Sequence, residues 1–136
     1  MKKLLLLIVL FSSVLMINFS FAQTGTCKLK VLYFHATNRC PGCMAIENKT
    51  KEVLEESFKT QVENGTIVFK SYNVDDAENK AISKKYKAYG PTLMLIEIDG
   101  KTEKEIDYTD TGFSYAKNEP DKYKTMLKQQ IQDLIK

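Results

Sequence analysis

The 136-residue chain has no tryptophan, one histidine, three cysteines and three prolines. A structural zinc centre normally draws on two cysteine pairs, or on histidines near one pair. A chain with one Cys-x-x-Cys and only His35 lacks those ligands, so no metal site is expected. No glycine-rich phosphate loop occurs, which leaves no readable nucleotide or flavin site and no expected cofactor. Charge of one sign is also missing: 20 basic residues stand against 17 acidic ones. The lysines alternate with acids as on a solvated surface, and nothing in that balance points to nucleic acid. There is no internal repeat and no low-complexity segment.

An uninterrupted membrane-length run is absent as well. A spanning helix needs about 20 apolar residues, and the run from Leu4 is broken by Ser12, Ser13 and Asn18. What is present is a basic Met1-Lys2-Lys3, an apolar stretch from Leu4 to Ile17, and small residues in Ser20-Phe21-Ala22. This is the pattern of a signal peptide, residues 1–22, with cleavage expected before Gln23. The mature protein is then expected to be exported, periplasmic or extracellular, with membrane anchoring the lesser alternative. Anchoring through Cys27 is disfavoured because Thr24-Gly25-Thr26 lacks the apolar residue that usually opens a lipobox. Residues 23–136 make one domain of 114 residues, with 18 basic against 17 acidic side chains. A monomer is expected. Export allows disulfides to persist, so closely spaced cysteines acquire a redox meaning.

Hydrophobic periodicity then alternates between strand and helix. Leu29 to His35 reads as a buried strand, followed by the polar loop Ala36-Thr37-Asn38-Arg39. Pro41 suits a first helical turn, and Ile46, Thr50, Val53, Leu54, Phe58 and Val62 recur at helical spacing until Asn64-Gly65. Thr66 to Val74 is a second strand, and Asp75-Asp76 is expected to cap a helix carrying Ala77, Ile82 and Tyr86. Thr92 to Ile98 and Thr102 to Tyr108 form a hairpin with Asp99-Gly100 as its two-residue turn. Thr109 to Glu119 is a connection of unassigned structure. Pro120 opens a last helix with Tyr123, Met126, Leu127, Ile131 and Leu134 on one face. The order β-α-β-α-β-β-α implies an α/β fold: a four-stranded mixed sheet with helices on both faces.

The chemistry concentrates in Arg39-Cys40-Pro41-Gly42-Cys43, between the first strand and the first helix. Unpaired N–H groups and the positive end of the helix dipole stabilise a thiolate at that position. Cys40 is therefore the expected nucleophile, and Cys43, one turn further in, the resolving thiol. Arg39 adds a positive charge beside Cys40, Pro41 stiffens the turn and Gly42 leaves it uncovered. A permanently closed structural bridge is the competing reading of the pair. Glu47, four residues after Cys43, can relay a proton through water, although a solvated helix residue is the plainer reading. His35 reads chiefly as packing or capping, Met44 as core, and Cys27 as a free or intermolecular thiol rather than a resolver for Cys40.

Strand Val31-Leu32-Tyr33-Phe34 leading into Cys40-Pro41-Gly42-Cys43, then Tyr72-Asn73-Val74-Asp75, Lys85-Tyr86 and Gly90-Pro91-Thr92 ahead of an apolar strand, resembles the thioredoxin superfamily in order and spacing. The likeness covers nearly all of residues 28 to 135. It implies the thioredoxin-like three-layer sandwich and thiol-disulfide oxidoreductase activity. It further implies a cis Gly90–Pro91 bond, with Gly90, Pro91 and Thr92 pairing to an extended substrate strand. The chain departs from the family where Arg39 replaces the usual tryptophan. The family's buried aspartate would fall near Tyr33 or Phe34, and its lysine partner near Lys70 or Ser71. The expected partners are exported proteins with cysteines or disulfides, together with a redox partner that resets the pair, for which a membrane-embedded carrier is a candidate. The alternative from another class is a non-catalytic module that binds Cu(I) or a partner protein.

Overall fold

The computed structural model describes residues 26–136; the expected leader lies outside the described residues. Strand β1, Leu29–His35, carries apolar side chains on both its faces. A strand of that composition is stable only when covered on both sides, and β1 accordingly sits inside the sheet. It pairs in parallel with β2, Ile67–Asn73, and antiparallel with β3, Thr92–Asp99. β4, Thr102–Asp107, closes the other edge, giving the order β2-β1-β3-β4.

Helices cover both faces. Over one lie α1, Pro41–Ser57, α4, Thr109–Tyr115, and α5, Pro120–Leu134, which bury Ile46, Val53, Leu127 and Ile131 against Leu29, Val31, Tyr33, Leu93 and Leu95. Between α1 and β2 runs the short α2, Lys59–Glu63. On the opposite face Leu32, Phe34, Met94 and Ile96 pack with Val74, Tyr86 and Ala88, near a 3-10 turn, Ala77–Asn79, and α3, Lys80–Lys85. This is the α/β fold, a four-stranded mixed sheet with helices on both faces, that the order of elements implied. Among the described residues no helix is long and apolar enough to cross a membrane.

Four local expectations are corrected, and the unassigned connection after β4 is resolved. The first helix does not run unbroken to Asn64: Phe58 leaves helical geometry at φ −134° and ψ 20° and buries its ring in the core, which separates α1 from α2. Asp75 and Asp76 give no side-chain cap to the turn after β2. Asp75 Oδ2 instead accepts the Thr37 N–H at 2.7 Å, which ties the loop after β1 to the end of β2, and Asp76 Oδ1 accepts from Asn73 Nδ2 at 3.2 Å. The hairpin turn is shifted by one residue. Asp99 pairs with Thr102, so Gly100-Lys101 is the turn, with the positive φ of 60° at Gly100. A two-residue turn with glycine first and only that residue at positive φ suits the hairpin twist. The connection after β4 is helical. Tyr108, Gly112 and Ala116 recur every fourth residue and are buried, while Asp107 Oδ1 accepts the Thr109 N–H at 2.9 Å to start α4. On α5, Met126 lies outside the core, 37% exposed.

One buried polar contact joins α1 to α5. The hydroxyls of Thr50 and Tyr123 lie 2.7 Å apart, with both residues fully buried. Removing one partner strands the other away from water, whereas removing both does not. Thr50→Val is expected to lower stability by about 1–2 kcal/mol. Adding Tyr123→Phe should cost little more, and urea unfolding of the two single variants and the double variant measures that coupling.

A candidate redox centre at the start of the first long helix

β1 ends at His35, and the chain turns through residues 36–39 to begin α1, with Cys40 as its N-cap. Cys40 has extended backbone, φ −76° and ψ 157°, and is exposed. Its Sγ accepts the Cys43 N–H at 3.0 Å, while its carbonyl accepts the Met44 N–H at 3.0 Å as the first bond of the helix. A sulfur in the N-cap position thus receives one of the donors that a helix start leaves unpaired. Pro41 occupies the first turn, where its missing N–H removes no helical bond. Cys43 is 4% exposed, and the two cysteines form a disulfide across a Cα–Cα distance of 5.0 Å. One residue of the pair is exposed and the other buried.

The charges around this pair differ from the sequence expectation. Arg39 does not stand as an isolated cation beside Cys40: its Nη2 forms an ion pair with Glu47, and its guanidinium lies 5.7 Å from the centre of the Tyr33 ring. Glu47 is not a solvated helix residue but is 4% exposed, and its other oxygen meets Lys51 Nζ at 2.7 Å. Burial alone would raise the Glu47 pKa. Lys51, Arg39 and the Ser71 hydroxyl outweigh it and hold the carboxyl below its ordinary value of 4.5. Arg39 and Glu47 were separate readings in the sequence because nothing in their spacing announces a contact across the helix start.

Tyr33, one of the two positions where the resemblance would put a buried acid, donates its hydroxyl to the Cys43 carbonyl at 2.7 Å. Burial pushes its phenol pKa up, so it remains a neutral donor. Ser71 lies opposite Tyr33 in the β1–β2 register, with Lys70 before it exposed. His35 keeps to packing: its ring stacks on Tyr33 at 6.1 Å and its carbonyl accepts the Val74 N–H at 2.8 Å. Met44 does not enter the core and is 43% exposed.

Thr92 pairs with Phe34, which puts Gly90 and Pro91 at the end of β1 from which the chain leaves for Cys40. Thr92 Oγ1 donates to the Gly90 carbonyl at 3.1 Å, and Tyr89 before them is 75% exposed. The expected cis Gly90–Pro91 bond is corrected: no peptide bond among the described residues is cis. The trans form is favoured by about 0.5–1 kcal/mol before proline. Cys27 is a free thiol just before β1, while Cys40 follows the other end of that strand. Seven residues of strand span about 23 Å, so Cys27 does not serve Cys40.

No family model matches this sequence, and no curated protein matches it. Among solved structures the chain is similar to a cysteine-to-serine mutant of an Entamoeba histolytica thioredoxin, at 26% identity and a TM-score of 0.45, covering 82% of this chain and 87% of that one. It is also similar to the oxidised mitochondrial thioredoxin 3 of Saccharomyces cerevisiae, at 21% identity and a TM-score of 0.43, covering 65% and 76%. The germline-specific thioredoxin Deadhead of Drosophila melanogaster is similar at 23% identity and a TM-score of 0.41, covering 62% and 70%.

Because the folded pKa of Glu47 lies below the ordinary value, its ionised form stabilises the fold above about pH 4.5, and that contribution is lost as pH falls further. Glu47→Gln is expected to cost about 1–2 kcal/mol at pH 7, with Lys51 and part of Arg39 reaching solvent and moderating the loss. The gap from the parent protein should narrow as pH falls toward 3 in urea melts. The same substitution leaves the Arg39 charge uncompensated, so thiolate absorbance of the reduced protein should appear at lower pH than in the parent.

Proposed function

We propose that the chain is a thiol-disulfide oxidoreductase that exchanges disulfides with exported proteins. The observation that carries this reading is the asymmetry of the pair. Cys40 is exposed at a helix N-cap with a backbone N–H directed at its sulfur, and Cys43 is buried within bonding distance of it. A static bridge has no need of an exposed, hydrogen-bonded sulfur at a helix start.

In the reduced state the Cys40 thiolate attacks one sulfur of a substrate disulfide. A Cys40–substrate bond forms as the substrate bond breaks, and the leaving sulfur departs as a thiolate. Cys43, once deprotonated, attacks Cys40 Sγ, closes the Cys40–Cys43 disulfide and releases the second substrate thiolate. Two electrons pass from the protein pair to the substrate, and the reverse sequence oxidises a substrate dithiol. Tyr33 supports the second step by fixing the Cys43 carbonyl, and hence the first turn that sets the distance between the sulfurs. Gly90, Pro91 and Thr92 flank the site as the segment for an extended partner strand. A dithiol or membrane carrier that renews the pair, and export through the expected leader, complete the reading.

Reduction of insulin by dithiothreitol tests it. The mature protein should accelerate the reaction, Cys40→Ser should abolish the acceleration, and Cys27→Ser should leave it intact. Cys43→Ser should accumulate a covalent complex with substrate that dithiothreitol releases. Inactivity of the parent protein, with stoichiometric uptake of Cu(I), would instead support the binding module. Because Glu47 offsets the Arg39 charge, the potential of the Cys40/Cys43 couple against glutathione should lie nearer about −270 mV than about −120 mV.

A further inference from the structure

α4 comes close to the Cys40-Pro41-Gly42-Cys43 turn because a glycine lets it. A Cβ at Gly112 would stand 3.1 Å from Ile46 of α1, so a larger residue would crowd that side chain at the contact between the two helices. The next residue, Phe113, faces the start of α1. Two carbons of its ring lie 3.5 Å from the point where a Cβ on Gly42 would stand, and Cys40 Sγ lies 3.8 Å from the same point. The sum of these distances bounds the separation of ring and sulfur at about 7 Å. No side chain at position 42 intervenes, and the ring is 42% exposed.

An apolar ring left half uncovered gains free energy when another apolar side chain covers it. In the exchange proposed above, the partner's cysteine must come within bonding distance of Cys40 Sγ. An extended partner advances about 3.3 Å per residue, so a residue one or two positions from that cysteine reaches the ring. We propose that Phe113 is a specificity-determining residue of the exchange, receiving an apolar side chain one or two positions from the cysteine of the partner's disulfide. This rests on the thiol-disulfide reading. Phe113 takes no part in the transfer of electrons or protons; it adds binding for one class of partner.

Two synthetic peptides test the assignment. They share one internal disulfide and differ only in leucine or serine beside the attacked cysteine. For the reduced parent protein kcat/KM should favour the leucine peptide about tenfold, the amount expected from burying much of one leucine against the ring. Phe113→Ala should bring the two rates together by lowering only the leucine rate, and Phe113→Leu should restore part of the preference. An unchanged serine rate and an unchanged thermal midpoint show that the fold and the cysteines are intact. Equal loss for both peptides on Phe113→Ala, or no preference in the parent protein, overturns the assignment while leaving the activity standing. Exchange with neither peptide overturns the assignment together with the activity on which it rests.

Discussion

The hydrogen bond from the Cys43 N–H to Cys40 Sγ depends on where β1 delivers the chain. The strand is buried on both faces, so its end is fixed by packing rather than by the loop that follows. Asp75 and Asn73 then hold Thr37 of that loop, and the helix begins with a sulfur where Ser, Thr, Asp or Asn would ordinarily stand. An oxygen there caps a helix and does nothing more. A sulfur in the same place is a cap whose charged form the helix favours, so in the proposed exchange one contact both starts the helix and prepares the nucleophile.

Against that contact the protein sets a compensated cluster instead of a bare charge. Arg39 is drawn to Glu47 and lies against Tyr33, Glu47 is shared with Lys51, and Tyr33 holds the Cys43 carbonyl. A buried carboxylate with one cation would be a fragile arrangement; with two it stays ionised. The cost is a weaker field at Cys40 than Arg39 alone would exert. The gain is a buried carboxylate paired on both oxygens.

Much of this was legible in the residues. The bounds of β1 follow from its largely apolar and aromatic run, and α5 opens at Pro120 as its proline suggests. The Cys40/Cys43 site could be placed because strand, loop and helix signals occur in sequence around it. Contacts distant in the chain were harder to read. Glu47 looks like any helical acid until Arg39 and Lys51 converge on it, and Met44 has the composition of a core residue but sits on the outer side of α1. The helix α4 was visible only as Tyr108, Gly112 and Ala116 at intervals of four, a faint pattern because glycine holds the middle position. The cis proline came from family likeness rather than from any residue here that would enforce it, and the bond is trans.

Lys28 Nζ reaches the carbonyls of Ile135 and Lys136, at 3.2 and 3.3 Å, just ahead of the point where β1 begins. The first and last parts of the described chain are thus fastened together at one pole of the sheet, with the disulfide turn beyond the other end of β1. A label or support attached at Lys136 therefore lies at the pole of the sheet opposite the Cys40–Cys43 disulfide.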